Sequence, residues 1–452
     1  MSGTSPVRYP DQSSPAIMTK RAWWLVGLNI LIPGSAQLLA GNRRLGRFGV
    51  SMTFLLWALV IVAAVLWFTW RTPLYTLVTT TIGLWAIALV LGFYSVLWFI
   101  LTLDTLRLVR LVRTDTTARP FVAGLAVLAL VLVSGTSAYG AYVAVTANAF
   151  LSDEFISAPP AEPVDGRYNF MLVGGDSGED RDGLRPDSMT VVSVDATTGE
   201  AAMIGVPRNM MYAPFPADSP MAALYPNGYG WEGCEVDVCQ LNSIYTEVEL
   251  YHQDLYPDAA ANGSSPGLEA TRDALEGISG LTIQYYVLVD MQGFADLVDA
   301  LGGVTITVEN PVPIHTDETF TEVLEWIGPG VVHLNGYYAL WYARSRHDTN
   351  DYDRMARQRQ LMEAVLEQFT PANLLTKFQE VATASGDLVK TDVSQAALGY
   401  FVDLASKSRD LPITQFGLDP DSGVDPEDPQ YDYIHELVAS VTAPPPEDDS
   451  EE

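Results

Sequence analysis

Three uncharged apolar runs, residues 49–70, 77–103 and 121–145, restrict this chain more than any other feature. At about 1.5 Å of helix per residue, each is long enough to cross about 30 Å of hydrocarbon. They read as membrane-spanning helices, which satisfy their own backbone polar groups. A fourth apolar run, residues 22–40, is interrupted by Asn29, Pro33, Gly34 and Gln37. It is either a further span, the reading favoured here, or a re-entrant hairpin. The expectation is a transmembrane region at 22–148 with three or four helices and the lipid bilayer as its partner. A cleaved signal peptide does not fit, because the first run is broken and longer ones follow it.

Basic residues orient these helices. Arg43, Arg44 and Arg47 cluster in one loop, and Arg107, Arg110, Arg113 and Arg119 in another, whereas the loop after residue 70 has Arg71 alone. The positive-inside rule puts the two basic loops in the cytoplasm, which predicts a multi-pass cell-membrane protein with everything after Ala147 extracytoplasmic. Residues 1–150 carry 11 Lys+Arg and 3 Asp+Glu, whereas the remainder carries 14 and 52. So acidic a C-terminal part reads as a solvated domain, and it repels nucleic acid, which is excluded as a partner. Residues 1–21, with Pro6, Pro10 and Pro15, and the proline-and-acid tail 443–452 have little to bury and are expected to be disordered. The only cysteines, Cys234 and Cys239, have four residues between them. That spacing favours a small disulfide loop in an oxidising compartment over half of a zinc site, since no histidine stands near at ligand spacing.

After a linker at 149–167 containing Pro159, Pro160 and Pro163, the pattern becomes that of an α/β domain, 168–442. Strands are predicted at 168–173, 189–194, 201–206, 284–290 and 304–308, with a hairpin turn at 195–200. The first strand is expected to stop at a loop beginning Gly174-Gly175-Asp176. Helices are predicted at 242–256, 267–278, 294–301, 336–344 and 351–368, and near 393–406. Residues 207–239 form a long Pro/Gly-rich excursion. Alternating strands and helices predict a sheet covered by helices, with ligands at strand ends.

Against the acidic background, residues 339–360 hold Arg344, Arg346, Arg354, Arg357 and Arg359. Arg354 and Arg357 stand at helical spacing, where like charges repel by about 0.2–0.5 kcal/mol. A bound anion would offset this, and the arginine fork suits carboxylate or phosphate oxygens. Two further polar clusters sit at predicted element ends: Asp176 with Asp180, Arg181, Arg185 and Asp187, and Arg208 directly after Val206-Pro207. The three clusters hold eight of the 14 basic residues beyond position 150, which points to one phosphate or pyrophosphate site. Asp176 and Asp187 offer hard oxygens of the kind magnesium takes when it also holds a substrate phosphate. Taken singly, Asp176 reads equally as a turn residue, Asp351 as a helix cap and Arg359 as a solvated helix residue. His347 has no partner serine, and His252, His315, His333 and His435 show no ligand spacing. Neither a Walker loop nor a Gly-x-Ser-x-Gly elbow is present.

At these clusters the chain resembles the LytR-CpsA-Psr family of bacterial envelope enzymes, over roughly residues 169–442. Arg185-Pro-Asp187-Ser-Met189 resembles the family's Arg-Ser-Asp-Thr-Met, and Gly205-Val-Pro-Arg208 its Ser-Ile-Pro-Arg. The stretch from Val289 to Val304 is similar to the family's helix between two strands. Leu334-Asn-Gly, Arg344-Ser-Arg346 and the run from Asp351 through Arg354 to Gln358 match further motifs in order. Gly178, Asn209, Gln240 and Asp353 depart from the pattern, which has Arg, Asp, Lys and Gly there.

The resemblance implies an α-β-α sandwich around a mixed sheet and a magnesium-dependent phosphotransferase. Its substrate would be a polyisoprenyl-pyrophosphate-linked glycan held in an apolar tunnel, and its acceptor a cell-wall polymer. Carried over by motif, Asp176 and Asp187 would be metal or pyrophosphate neighbours. Arg185, Arg208, Arg344, Arg346 and Arg354 would bind the pyrophosphate, with Asp351 and Gln358 beside them. A non-catalytic binder of lipid-linked glycan or envelope scaffold, or a polyprenyl-pyrophosphate hydrolase, is the alternative.

Overall fold

The structure, a computed structural model, describes residues 7–176, 185–231, 233–315, 323–345, 350–368, 389–409 and 411–443. The expected acidic tail thus falls almost wholly outside the described residues. The chain divides into two compact units, Met1–Leu151 and Ser152–Glu452.

The first unit is helical: α1 (Pro15–Leu31), α2 (Ser35–Ala40), α3 (Arg43–Thr69), α4 (Thr72–Thr79), α5 (Thr81–Val109), α6 (Arg119–Leu130) and α7 (Thr136–Glu154). A π-type turn, Val131–Gly135, joins α6 to α7. Among the described residues three helical stretches are long and apolar enough to cross a membrane: Arg43–Thr69, Thr81–Arg113 and Arg119–Ser152. The run 22–40 is not one continuous helix. Pro33 has no N–H for the carbonyl of Asn29, and Gly34 takes φ +95°, so α1 ends and the six-residue α2 starts afresh. Gly34 also permits close approach to α3, since a Cβ there would lie 2.8 Å from the Gly49 carbonyl carbon. The N-terminal region expected to be disordered is helical from Pro15, capped by the Ser14 hydroxyl. Buried Arg21 ties it down by donating to the carbonyls of Val7 and Leu108, each at 2.7 Å.

The second unit is built on a six-stranded mixed sheet with strands β1 (Arg167–Asp176), β2 (Arg185–Asp195), β3 (Ala201–Val206), β4 (Tyr285–Asp290), β9 (Val389–Thr391) and β10 (Thr414–Gly417), in the order β10-β3-β2-β1-β4-β9. β1 pairs antiparallel with β2 and parallel with β4, and β3 runs antiparallel to β2 and parallel to β10. Alternation along the strands separates two buried faces. Met171, Val173, Val191, Ile204, Val206, Tyr286 and Leu288 pack with residues of α9 (Ile244–Tyr251), α10 (Pro266–Ser279) and the helix Tyr431–Thr442. Tyr168, Phe170, Val192, Val194 and Tyr285 meet Tyr400, Phe401 and Leu404 of the helix Leu398–Ser408. A third cluster joins α11 (Met291–Leu301), α12 (Gly336–Arg344) and α13 (Asp351–Gln368) to two short antiparallel two-stranded sheets, β5 (Val304–Val308) with β8 (Gly330–Leu334) and β6 (Val312–His315) with β7 (Val323–Ile327). α8 (Pro220–Leu224) lies in the Pro/Gly-rich excursion.

Two differences from the sequence reading bear on the site. β1 does not stop before Gly174; it continues to Asp176 through a bulge at Gly174/Gly175, and β2 begins at Arg185 rather than at Met189. The small Gly174 fits close against the facing Ser188, whose Cβ would stand 3.2 Å from an added Cβ. The helix predicted at 242–256 breaks after Tyr251 into a short 3-10 turn, Gln253–Leu255, ahead of Pro257, which disfavours helical backbone in the residue before it.

Candidate anion-binding site

The pairing pattern puts the C-terminal ends of β1, β3 and β4 on the same edge of the sheet as the N-terminal end of β2. Asp187 is on β2, Arg208 follows the end of β3 by two residues, and Asp351 and Arg354 lie in the first turn of α13. These four form a chain of alternating charge. Arg208 Nη1 donates to Asp187 Oδ1 at 2.6 Å, and its Nε lies 3.8 Å from Asp351 Oδ2. Arg354 Nη2 donates to Asp351 Oδ2 and to the Asp187 carbonyl, both at 3.0 Å. Arg354 is buried, at 2% exposure, whereas the side chains of Asp187, Arg208 and Asp351 remain about a quarter exposed and within reach of a ligand.

Asp351 is available for this because the cap of α13 belongs to other residues. Asn350 Oδ1 accepts from the Asp353 N–H at 2.9 Å, and Asp353 Oδ2 accepts from the Asn350 N–H at 3.1 Å, a reciprocal box that satisfies two orphan donors. Asp353, one of the departures from the family pattern, thereby has a local structural role.

The remaining arginines of the stretch diverge. Arg357 donates from Nε to the Tyr342 carbonyl at 3.1 Å and from Nη2 to the Ser345 carbonyl, closing the C-terminal end of α12. Gln358 also holds α12, donating to the Ala343 carbonyl at 3.2 Å. Arg359, expected on the solvated face, is instead half-buried against β3 and β10, its Nη1 2.6 Å from where a Cβ on Gly205 would lie. Burial pulls its pKa below the ordinary arginine value, opposed by the charge of Asp419. Arg344 is exposed at the end of α12.

Asp176 and Arg185 face each other in the β1/β2 register, with side chains outside the described part. Gly178, Asp180, Arg181, Arg346 and His347 lie outside the described residues. Asp290, given no role by the sequence reading, ends β4 on the same edge and accepts the Gly293 N–H at 2.6 Å as the cap of α11. Its position after an apolar strand and before a helical pattern was the available signal. Cys234 and Cys239 form a disulfide, with Cα atoms 5.8 Å apart. No group of three or more His, Cys, Asp or Glu residues is gathered for a metal among the described residues. Asp187 supplies a hard oxygen donor, and magnesium that also holds phosphates needs one or two carboxylates, so the donor set fits that ion.

The second unit is thus a mixed-sheet α/β domain with alternating arginines and carboxylates gathered at its strand ends and the start of α13. A model of the LytR_cpsA_psr family matches residues 141–422, and the chain belongs to that family. It is 26% identical over 232 residues to biofilm regulatory protein A of Streptococcus mutans, covering 50% of each chain. It is 28% identical over 239 residues to polyisoprenyl-teichoic acid–peptidoglycan teichoic acid transferase TagU of Bacillus mycoides, covering 52% of this chain and 62% of that one. The chain therefore spans about half to three fifths of the length of these relatives. Among solved structures, B. subtilis TagV is similar at 19% identity and a TM-score of 0.43, covering 63% of this chain and 100% of that one.

Proposed function

We propose that this protein is a membrane-anchored phosphotransferase that moves a glycan phosphate from a polyisoprenyl-pyrophosphate carrier onto a cell-wall acceptor. The observation that carries the reading is the Asp187–Arg208–Asp351–Arg354 chain, made of family-motif residues and set at strand ends. Phosphoryl transfer asks of a protein chiefly that it position the group and stabilise the charge on its oxygens. Arg208, Arg344, Arg346 and Arg354 are assigned this role by motif, Arg208 partly exposed and Arg354 buried against Asp351 and the Asp187 carbonyl. Asp351 orients Arg354 through their 3.0 Å contact. Magnesium, when bound, supplies further charge neutralisation, and Asp187 with Asp176 would hold it. The three apolar helices anchor the chain in the membrane, and the basic loops favour an extracytoplasmic Ser152–Glu452 unit. The names of the TagU relatives describe polyisoprenyl-linked teichoic acid as donor and peptidoglycan as acceptor. They support a lipid-linked glycan and a wall polymer as the partners here.

The test is incubation of the full chain in nanodiscs with lipid-linked glycan, magnesium and peptidoglycan, with products read by mass spectrometry. Glycan attached through phosphate to peptidoglycan, lost in Arg208→Ala, is the expected result. Tight retention of the lipid without turnover in any divalent metal sinks the proposal in favour of a binder. Phosphate release without attachment makes the protein a pyrophosphate hydrolase.

A further inference from the structure

Four non-glycine residues have a positive φ among the described residues, and two of them are aromatic: Tyr212 at +53° and Trp231 at +92°. For a bulky side chain such a backbone is an outlier, and outliers gather at functional sites where the surrounding structure holds them. Both lie in the Pro/Gly-rich excursion, and their rings meet, with 25° between the planes and 6.4 Å between the centroids. That spacing is at the wide end of offset stacking and leaves much of each ring uncovered by the other. Tyr212 is 39% exposed and Trp231 63%, so burial does not account for the strain.

The backbone around the pair is braced. Met211 donates its N–H to the Pro426 carbonyl at 3.0 Å, and its own carbonyl accepts from Tyr431 Oη at 2.6 Å. Ala213 exchanges two hydrogen bonds with Tyr229, at 2.8 and 2.9 Å. That pairing needs Gly228, where a Cβ would stand 2.3 Å from the Tyr212 carbonyl oxygen. Trp231 donates its N–H to the Cys239 carbonyl at 3.3 Å, and the Cys234–Cys239 disulfide closes the loop that follows. Tyr212 comes four residues after Arg208 in the chain, which keeps their Cα atoms within about 14 Å, the reach of a short oligosaccharide.

Charge and ring chemistry select the occupant. Glu235 and Asp237 are exposed in the disulfide loop, within a strongly acidic unit, so phosphate-bearing polymers and anionic bilayer surfaces are repelled beside these rings. The negative face of an aromatic ring attracts the partly positive C–H hydrogens on the apolar face of a pyranose ring, an uncharged partner that the acids do not repel. An open surface suits a polymer lying across it, whereas small ligands are enclosed in concave sites. We propose that Tyr212 and Trp231 form a platform that binds uncharged sugar rings of the cell-wall acceptor. The acceptor role rests on the transferase reading; sugar binding rests on the rings themselves.

The test uses the full chain in phosphatidylcholine nanodiscs and purified peptidoglycan, whose strands are amino-sugar polymers, with bound chain read by co-sedimentation. Glycine adopts the backbone of both positions without a Cβ clash, so Trp231→Gly and Tyr212→Gly each remove one ring and should keep the fold, as circular dichroism checks. Each should weaken peptidoglycan binding about tenfold, and Trp231→Phe should restore most of it. Soluble N-acetylglucosamine oligomers should compete. Retention of lipid-linked glycan should be the same in Trp231→Gly as in the parent. Ring-dependent binding by a chain that transfers no glycan overturns the transferase reading and leaves sugar binding standing. A parent chain that does not co-sediment, or binding unchanged in both glycine variants while transfer continues, overturns the platform and leaves the transferase standing. Equal loss of lipid-linked glycan retention overturns the assignment to the acceptor, and binding abolished by high salt overturns sugar in favour of a cationic peptide.

Discussion

Arg354→Ala removes two contacts at once, to the Asp351 carboxylate and to the Asp187 carbonyl, each 3.0 Å long. Hydrogen bonds to charged groups contribute about 1.5–3 kcal/mol each. Asp351 is 27% exposed and keeps Arg208 at 3.8 Å, so the lower end applies to that bond. The Asp187 carbonyl loses a donor from a buried side chain, and a void opens where the guanidinium was. The expected loss is about 2–4 kcal/mol, a fall of about 5–10 °C in the unfolding midpoint of a domain this size. Under the proposed function binding should fall as well, because a cation is lost and the Asp351 carboxylate keeps Arg208 at 3.8 Å but loses the 3.0 Å contact that offset its charge. For a soluble short-chain isoprenyl pyrophosphate followed by isothermal titration, a loss of about 2 kcal/mol is an affinity weaker by about 30-fold. Arg354→Lys keeps the charge but cannot bridge two acceptors with a planar fork, so it should lie between. An Arg354→Ala protein that unfolds at the parent's midpoint and binds pyrophosphate as tightly would refute the assignment of this residue to both roles.

Three further outcomes follow from groups outside this network. Burial pushes Glu276 up to about 7, opposed mainly by the Ile283 N–H it accepts, whereas unfolded it ionises near 4.5. The folded state therefore holds the proton more tightly, and stability falls as pH rises from about 4.5 to 7. Glu276→Gln should match the parent in denaturant unfolding at pH 4.5 and exceed it by about 2–3 kcal/mol at pH 8; a gap independent of pH counts against this. Arg272 pairs with buried Asp392, which otherwise accepts the Tyr286 N–H at 2.7 Å. Arg272→Met leaves that carboxylate unpaired and should cost about 3–5 kcal/mol in the same assay. Gly205→Ser places a Cβ 2.6 Å from Arg359 Nη1 and 3.3 Å from Met355 Cε, both ends of flexible side chains. It should cost about 1 kcal/mol, and the cost should disappear in an Arg359→Ala background, as a double-mutant cycle would read.

The sheet was legible where both faces of a strand are buried, because apolar residues then run continuously between turn residues, as in β3 and β4. β7 and β8 escaped notice because their side chains are mostly exposed, and β10 has only four residues. The site was legible in its residue types and misleading in its distribution. Charge counting treated the arginines of 339–360 as one cluster awaiting one anion. Around an α-helix, however, Arg357 lies about 60° and Arg359 about 140° from Arg354. The three reach different neighbours: Asp351 with Asp187, the last carbonyls of α12, and the glycines of β3 and β10. Nothing in the spacing says that Gly205 and Gly417, far away in the chain, leave the room that Arg359 takes. The excess of cations is thus divided between anchoring α13 and lining the strand ends. Arg208 and Arg354 are already held by carboxylates, so under the proposed function a pyrophosphate would compete with Asp187 and Asp351 for the partly exposed Arg208 fork. A metal ion on Asp187 would weaken that competition at Arg208, which ties the motif's acid to its base more directly than either charge alone suggested.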